Sequence, residues 1–355
     1  MILSSRGTGS RWLSFLHRAG SARLRQTFPN VVIFAADERY LQLAWHAAAE
    51  VAAEPGRNFD VVLLVVGTAP PPAPPGCQAL GVTLPRWLKR FPVPPHMSMA
   101  NYARLFAAEH WLAGWERALY LDSDVRVTAP LSPLFGLEFG GALAAMAQDC
   151  GYCRRDAAAG AQREAMLRAI GLDPQAPYFN SGVMLIDLPA WRRAKPLRHL
   201  SGFKKAQSKL SGSVDQDFVN WVTKGGVLEL SPRWNFQTHY LGLGLEAAFQ
   251  PGIWHYLDIL KPWRDPEWAE LYDGAHAACF ATRLAADRLF GPGLAPPMRQ
   301  RAHPDAVFAA HVANIRRERP GMKERVTAQL LATLPRYADL APAEKAGLAQ
   351  ALGAA

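Results

Sequence analysis

The run Tyr120-Leu-Asp122-Ser-Asp124-Val125 sets two carboxylates two residues apart. On an extended chain such residues point the same way. Arg117-Ala-Leu-Tyr-Leu121, directly before them, reads as a strand. The pair would then stand at a strand's carboxyl end, where open α/β sheets bind ligands. Carboxylates so placed can hold a hard divalent cation, which in turn can grip a diphosphate. Chance alone supplies roughly one such pair in a chain of this length, so the apolar strand running into it is what gives it weight.

Elements able to position that pair are legible on either side. Asn30-Val-Val-Ile-Phe-Ala-Ala36 is a short apolar run read as a buried strand, followed by an Ala-rich helix to about Ala53 that Pro55-Gly56 stops. Residues 60–66 form a second buried strand, and strand–helix–strand at this spacing predicts a parallel sheet. The proline-rich stretch 70–76 is a stiff loop, and 80–84 reads as a third strand. Ser98 is placed to cap a helix whose stripe is Tyr102, Leu105, Phe106 and Leu112, closed by Gly114. Further strands are expected over 142–147, 182–186 and 225–230; capping a helix at 218–222 is one reading of Asp215, the alternative to a role in chemistry. From Asp265 the chain turns Ala-, Leu- and Arg-rich with helical periodicity, broken at Gly291-Pro-Gly-Leu-Ala-Pro-Pro297. The expected organisation is a basic arm (1–29), an α/β domain (30–264) and a mainly helical C-terminal region (265–355).

Composition excludes several classes. With 355 residues, 50% hydrophobic and 19% charged, the chain is neither disordered nor dependent on staples. Its longest strongly apolar run, 61–66, is far short of the ~20 residues that span a bilayer. No GxGxxG follows the first strand and no GxxxxGK[ST] occurs, which disfavours a Rossmann dehydrogenase or a P-loop NTPase. Four cysteines are too few for a disulfide scaffold; Cys150-Gly-Tyr-Cys153 is either half a metal or redox site or two loop thiols in a reducing cytosol. The net charge is +9, and Arg6, Arg11, Arg18, Arg23 and Arg25 fall in an acid-free stretch. His17 and Arg18 interrupt any secretory core. On a helix, Arg11, Arg18 and Arg25 with Leu13, Leu16, Leu24 and Phe28 would suit anionic lipid, as would the basic stretch Arg316-Arg-Glu-Arg319; a solvated arm is the equal alternative. No nucleic-acid-binding motif follows the arm. The expected location is the cytoplasm, with or without contact to the membrane's inner face.

Taken together, several stretches resemble the retaining glycosyltransferases of family 8, which have a GT-A fold and nucleotide-sugar donors, and among them the bacterial lipopolysaccharide galactosyl- and glucosyltransferases. They are Phe34-Ala-Ala-Asp-Glu-Arg-Tyr40, Asn101-Tyr-Ala-Arg-Leu105, Leu119-Tyr-Leu-Asp-Ser-Asp-Val125, Tyr178-Phe-Asn-Ser-Gly-Val-Met-Leu-Ile-Asp187, Asp215-Gln-Asp217, Arg233-Trp-Asn-Phe236 and His255 with Lys261-Pro-Trp263. They occur in the family's order over roughly residues 30–264.

The resemblance implies a Rossmann-like, mainly parallel sheet flanked by helices. It implies Mn²⁺ held by Asp122, Asp124 and His255, and a UDP-sugar donor. Ala35, Asp37 and Tyr40 would line the uridine pocket, with Asp122 and Ser123 also on the donor. Arg104 would pair with donor phosphate or sugar. Asp149, Asn180, Asp215 and Gln216 would hold the sugar near its anomeric carbon, the last three as the catalytic set. Lys261 would neutralise the departing diphosphate, and Trp263 would pack against the fold. The acceptor would be a glycan or glycolipid.

Two departures stand out. Asp258 replaces the family's usual glycine, which lets backbone approach the diphosphate. Its carboxylate is expected to face the phosphates, because Leu257 and Ile259 give it no polar setting elsewhere. Arg39 replaces the usual Asn before Tyr40. A nucleotide-sugar hydrolase, a transferase to a non-glycan acceptor, and a pseudo-transferase binding a glycan or protein partner without turnover remain open. Asp258 supports the pseudo-transferase; the intact Asp pair and His255 argue against it.

Overall fold

The computed structural model describes residues 24–91, 93, 97–151, 157–207, 214–285, 301 and 303–353. The expectations for most of the basic arm, for Cys153 and for the break at 291–297 lie outside the described residues.

Ten strands and twelve helices are named here in chain order. The first half holds β1 (Asn30–Ala36), α1 (Leu41–Ala52), β2 (Phe59–Val66), β3 (Gln78–Val82), α2 (Ala103–His110), β4 (Arg117–Leu121), β5 (Val125–Val127), β6 (Ala144–Ala147) and α3 (Ala157–Ala169). The second holds β7 (Val183–Asp187), α4 (Leu188–Ala194), α5 (Leu200–Gln207), α6 (Val214–Val222), β8 (Val227–Leu230), β9 (Phe236–Gln237), α7 (Glu246–Phe249), β10 (Ile253–His255), α8 (Pro266–Leu271), α9 (Gly274–Ala285), α10 (Asp305–Glu318), α11 (Met322–Thr333) and α12 (Pro342–Ala351).

Seven strands form one sheet in the order β3-β2-β1-β4-β7-β6-β8. Only β7 runs against its neighbours; the pairs β1–β2, β1–β4, β2–β3 and β6–β8 are parallel. Every residue of β1 and β2 is buried, as the unbroken apolar runs require of strands covered on both faces. Their alternate residues feed two cores. Val31, Ile33, Val62, Leu64 and Tyr120 pack on one face, and Val32, Phe34, Val61, Leu63 and Leu121 on the other.

Boundaries shift where tertiary or turn chemistry takes over. β3 lies two residues before its expected place, because its partner β2 ends at Val66, opposite Val82. The strand expected from 142 begins at Ala144, since Gly140 and Gly141 hold a left-handed turn (φ 54° and 92°). Ser98 does cap, its Oγ accepting from the Ala100 N–H at 2.9 Å, but the first turn is a 3₁₀ helix (Met99–Tyr102) and α2 follows it. α6 starts at Val214, so Asp215 lies inside the first turn rather than at the cap.

A smaller sheet, β5-β10-β9, follows from the first through the turn between β4 and β5. Helices α8 to α12 pack on this side: Phe236, Tyr256, Leu260, Trp268, Phe280, Phe308, Val312, Val326 and Leu348 share one core. Trp263 packs there too, its ring 5.2 Å from Phe280. In the stretch Arg316-Arg-Glu-Arg319, Arg316 meets Glu270 and Arg317 meets Asn314 at the exposed surface, and Arg319 donates to the Leu241 carbonyl. No helix among the described residues is long and apolar enough to cross a membrane.

Candidate functional site

Asp122 and Asp124 occupy the turn between β4 and β5, at the carboxyl edge of the parallel strands. Antiparallel β7 brings its amino end to the same edge: Leu121 pairs with Val183, and the Asp122 N–H donates to the Gly182 carbonyl at 2.8 Å. β6 ends there as well, with the Asn180 N–H on the Ala147 carbonyl (3.0 Å) and the Asp149 N–H on that of Tyr178 (2.9 Å). β10 pairs His255 with Val125, which brings the imidazole over the two carboxylates. Ligand atoms of Asp122, Asp124 and His255 lie within 4.8 Å of one another.

Each of the three side chains is fixed from behind. Asp122 Oδ1 accepts from Tyr120 Oη (2.7 Å) and Arg104 Nη2 (3.1 Å), which turns Oδ2 toward His255 Nε2, 3.7 Å away. Asp124 Oδ2 accepts from Lys261 Nζ (2.6 Å), and its Oδ1 stands 3.5 Å from the same Nε2. His255 Nδ1 lies 2.9 Å from Asn235 Oδ1. That oxygen only accepts, so Nδ1 carries a proton and Nε2 is the ring nitrogen that faces the carboxylates. Burial works against charge on Asp124, but Lys261 and His255 overcome it and hold the carboxyl below its ordinary value.

Two carboxylates and a neutral imidazole suit a borderline divalent cation such as Mn²⁺. The backbone makes room for them. A Cβ on Gly182 would stand 2.3 Å from His255 Cε1 and 2.5 Å from Asp122 Oδ2.

A polar chain leads onward. Asn235, with no exposed surface, donates to Asn180 Oδ1 at 3.0 Å. Asn180 Nδ2 donates to Gln216 Oε1 (3.2 Å) and Asp149 Oδ2 (3.3 Å), and Gln216 Nε2 donates to Asp149 Oδ2 (2.9 Å). Both ends of the Gln216 amide are thus fixed. Burial would raise the Asp149 carboxyl, but Arg163 and these donors hold it low.

A cavity of about 310 Å³ opens over this arrangement. Ala35, Tyr40, Asp122, Ser123, Asp124, Asp149, Asn180, Gln216, His255 and Lys261, all residues that the family resemblance implies at the site, line it. Asp37, Arg104 and Asp215 stand behind the wall. Asp37 accepts from Ser98 Oγ (2.5 Å), and Ser98 is the residue on the wall. Arg104 is only 2% exposed and lies 3.1 Å from both Asp122 and Asp215, over the Tyr120 ring. Burial opposes its charge and raises the Asp215 carboxyl, but the two acids more than compensate for the guanidinium. Met97, Ser98, Asn101, Leu257 and Ile259 line the cavity without having been expected in the site. Asn235 and Gly182 were missed too, although both sit in stretches that carry the family resemblance.

Asp258 corrects an expectation. Asp258 lines the cavity, but its carboxylate is taken up by protein partners rather than left facing the phosphates. Oδ1 lies 2.7 Å from His311 Nε2 and accepts from the Ile259 N–H, while Oδ2 accepts from Tyr272 Oη at 3.3 Å. Tyr272 and His311 come from the C-terminal helices and give the polar setting that Leu257 and Ile259 lack.

The family model described as Glycosyl transferase family 8 matches residues 81–267, more than half of the chain. The chain belongs to glycosyltransferase family 8. Among curated relatives of this glycosyltransferase, a lipopolysaccharide 1,2-glucosyltransferase of Escherichia coli (strain K12) is 31% identical over 184 residues, covering 48% of this chain and 51% of the relative. General stress protein A of Bacillus subtilis (strain 168) is 29% identical over 163 residues, covering 42% and 53%. The chain thus spans about half the length of the curated relatives it matches. The crystal structure of the galactosyltransferase LgtC in complex with donor and acceptor sugar analogs superposes with a TM-score of 0.58 at 25% identity, covering 73% of this chain and 97% of that one. The seven-stranded, mainly parallel sheet with its helical flanks is the GT-A fold of this family.

Proposed function

We propose that this glycosyltransferase moves glucose or galactose from a UDP-sugar to a glycan or glycolipid acceptor of the cell surface, with retention at the anomeric carbon. The observation that carries the reading is the convergence of Asp122, Asp124 and His255 on the cavity wall, with Lys261 beside them. Asp122, Asp124 and His255 would hold Mn²⁺. When bound, that ion offsets the charge that grows on a leaving diphosphate.

The chain's own groups do the rest. Lys261 Nζ supplies a fixed positive charge on the same wall, worth most as the diphosphate departs. Tyr40, Met97, Leu257 and Ile259 give an apolar bed for the base. Gln216, Asn180 and Asp149 would form the polar wall beside a sugar that develops oxocarbenium character. Gln216, with its amide locked from both ends, would face the reacting carbon during a same-face displacement. Arg104 and Asp215 act from behind, by holding Asp122. The basic arm would meet anionic lipid where the acceptor is delivered; removing residues 1–29 should weaken acidic-liposome sedimentation in a salt-sensitive way.

The pseudo-transferase reading rested on an anion at the diphosphate. The Asp258 carboxylate is engaged by His311 and Tyr272, which favours the transferase reading over it. The test is UDP release from UDP-glucose and UDP-galactose with Mn²⁺ and in excess chelator, with the product's anomeric configuration read by NMR. Asp124→Asn should cost at least about tenfold, the equivalent of ~1.4 kcal/mol. Full turnover in chelator would sink the metal assignment, and no UDP release from either sugar would sink the donor.

A further inference from the structure

The loop from β10 to α8 supplies Leu257, Asp258, Ile259 and Lys261 to the cavity. Asp258 holds φ at 111°, a conformation ordinary for glycine and costly for a residue with a Cβ. A strained residue persists only where its surroundings over-determine it. Here they do. The side chain is 5% exposed and spans from the Ile259 N–H (2.6 Å) to Tyr272 Oη (3.3 Å) and His311 Nε2 (2.7 Å).

The other end of the loop is held from the same side. The Lys261 N–H donates to Asp265 Oδ2 at 2.8 Å, and Arg301 Nε donates to Asp265 Oδ1 at 2.9 Å. Arg264 Nη2 donates to the Ile259 carbonyl at 2.8 Å. Arg301 and Arg264 lie over the Phe308 ring of α10, at 4.6 and 6.0 Å. His311 stands one turn further along that helix, between the buried Phe308 and Val312/Ile315.

We infer that Asp258 is a positioning residue through which α10 sets the placement of the cavity loop, and with it Lys261. Asp258 keeps the backbone course that a glycine would allow and adds a tether that glycine lacks. The C-terminal helices thereby become part of the machinery that places the donor. The ligand named in the test rests on the proposed UDP-sugar reading; the tether itself does not.

His311 lies off the cavity wall, so His311→Ala is the primary variant, with Asp258→Gly as the second. Asp258→Asn is the conservative control, since Asn tolerates positive φ and still accepts from the Ile259 N–H. Three quantities are measured: amide hydrogen exchange over 256–265 in the free protein, UDP affinity in Mn²⁺ by calorimetry, and affinity for Mn²⁺ alone. In His311→Ala and Asp258→Gly, exchange over 256–265 should rise about tenfold while β1 and β4 keep their protection. UDP should bind about fivefold or more weakly, the scale of coupling between packed elements. Mn²⁺ affinity should stay within about twofold, because its proposed ligands stand on β10 and the β4–β5 turn. Asp258→Asn should restore most of the UDP affinity. Unchanged exchange and UDP affinity in both variants would overturn the inference, and so would a uniform loss of protection with UDP affinity intact. Should the wild type itself fail to bind UDP, the donor reading falls, and the exchange measurement alone decides the tether.

Discussion

Gly182→Ala tests the geometry of the site with one added methyl group. The φ of Gly182 lies outside the left-handed region, so alanine is allowed by the backbone. The conflict is steric. The new Cβ would lie 2.3 Å from His255 Cε1, 2.5 Å from Asp122 Oδ2 and 3.1 Å from Asn180 Oδ1. Carbon pairs rest at ~3.5–4.0 Å, so the imidazole must retreat by more than about 1 Å. The glycine cannot move instead: its carbonyl takes the Asp122 N–H at 2.8 Å and its N–H gives to Asn180 Oδ1 at 3.1 Å. A retreat of that size breaks the 2.9 Å contact of His255 with Asn235. Metal ligation tolerates only about 0.2 Å. Mn²⁺ affinity, read by calorimetry or EPR titration, should therefore fall at least about 10–100-fold. Turnover should fall about hundredfold, while overpacking lowers stability by only ~1–3 kcal/mol. A folded Gly182→Ala protein with wild-type Mn²⁺ affinity and turnover would refute the reasoning.

Arg104→Met should lower unfolding stability by about 3–5 kcal/mol in urea, because Asp122 and the buried Asp215 lose their shared cation; adding Asp215→Asn should recover part of the loss. Burial pushes the Cys77 thiol up to about 12. It should therefore react with iodoacetamide at about pH 8 more than ~100-fold more slowly than in the unfolded chain, read by mass spectrometry of its peptide. Asp339 bonds the Ser231 N–H and hydroxyl, and burial raises its carboxyl despite these donors. A carboxyl held above its unfolded value binds its proton more tightly in the folded chain, so this group's contribution to stability falls as pH rises through that window and grows as pH drops. Asp339→Asn should flatten that part of the thermal-midpoint profile just above the ordinary aspartate range.

Much of the scaffold is fixed locally. Asn30–Ala36 and Arg117–Leu121 are strands at their expected bounds because β-branched and apolar runs that short have one way to bury themselves. The Asp122–Asp124 pair follows from a period-2 strand running into a turn, and the ordered stretches from Phe34 to Trp263 carried the family. What the sequence alone could not decide depends on residues far apart in the chain. Arg104 looks like any helical arginine until Asp122 and Asp215, 18 and 111 positions away, close around it. Asn235 has no periodicity to mark it; its role comes from lying between His255 and Asn180. Asp258 is the clearest case. Its neighbours in sequence are apolar, and local reasoning turned its charge toward the ligand. Packing against the β10–α8 loop supplied His311 from α10 and Tyr272 from the end of α8 instead, because a buried carboxylate goes where it finds partners, and folding alone sets which partners are near.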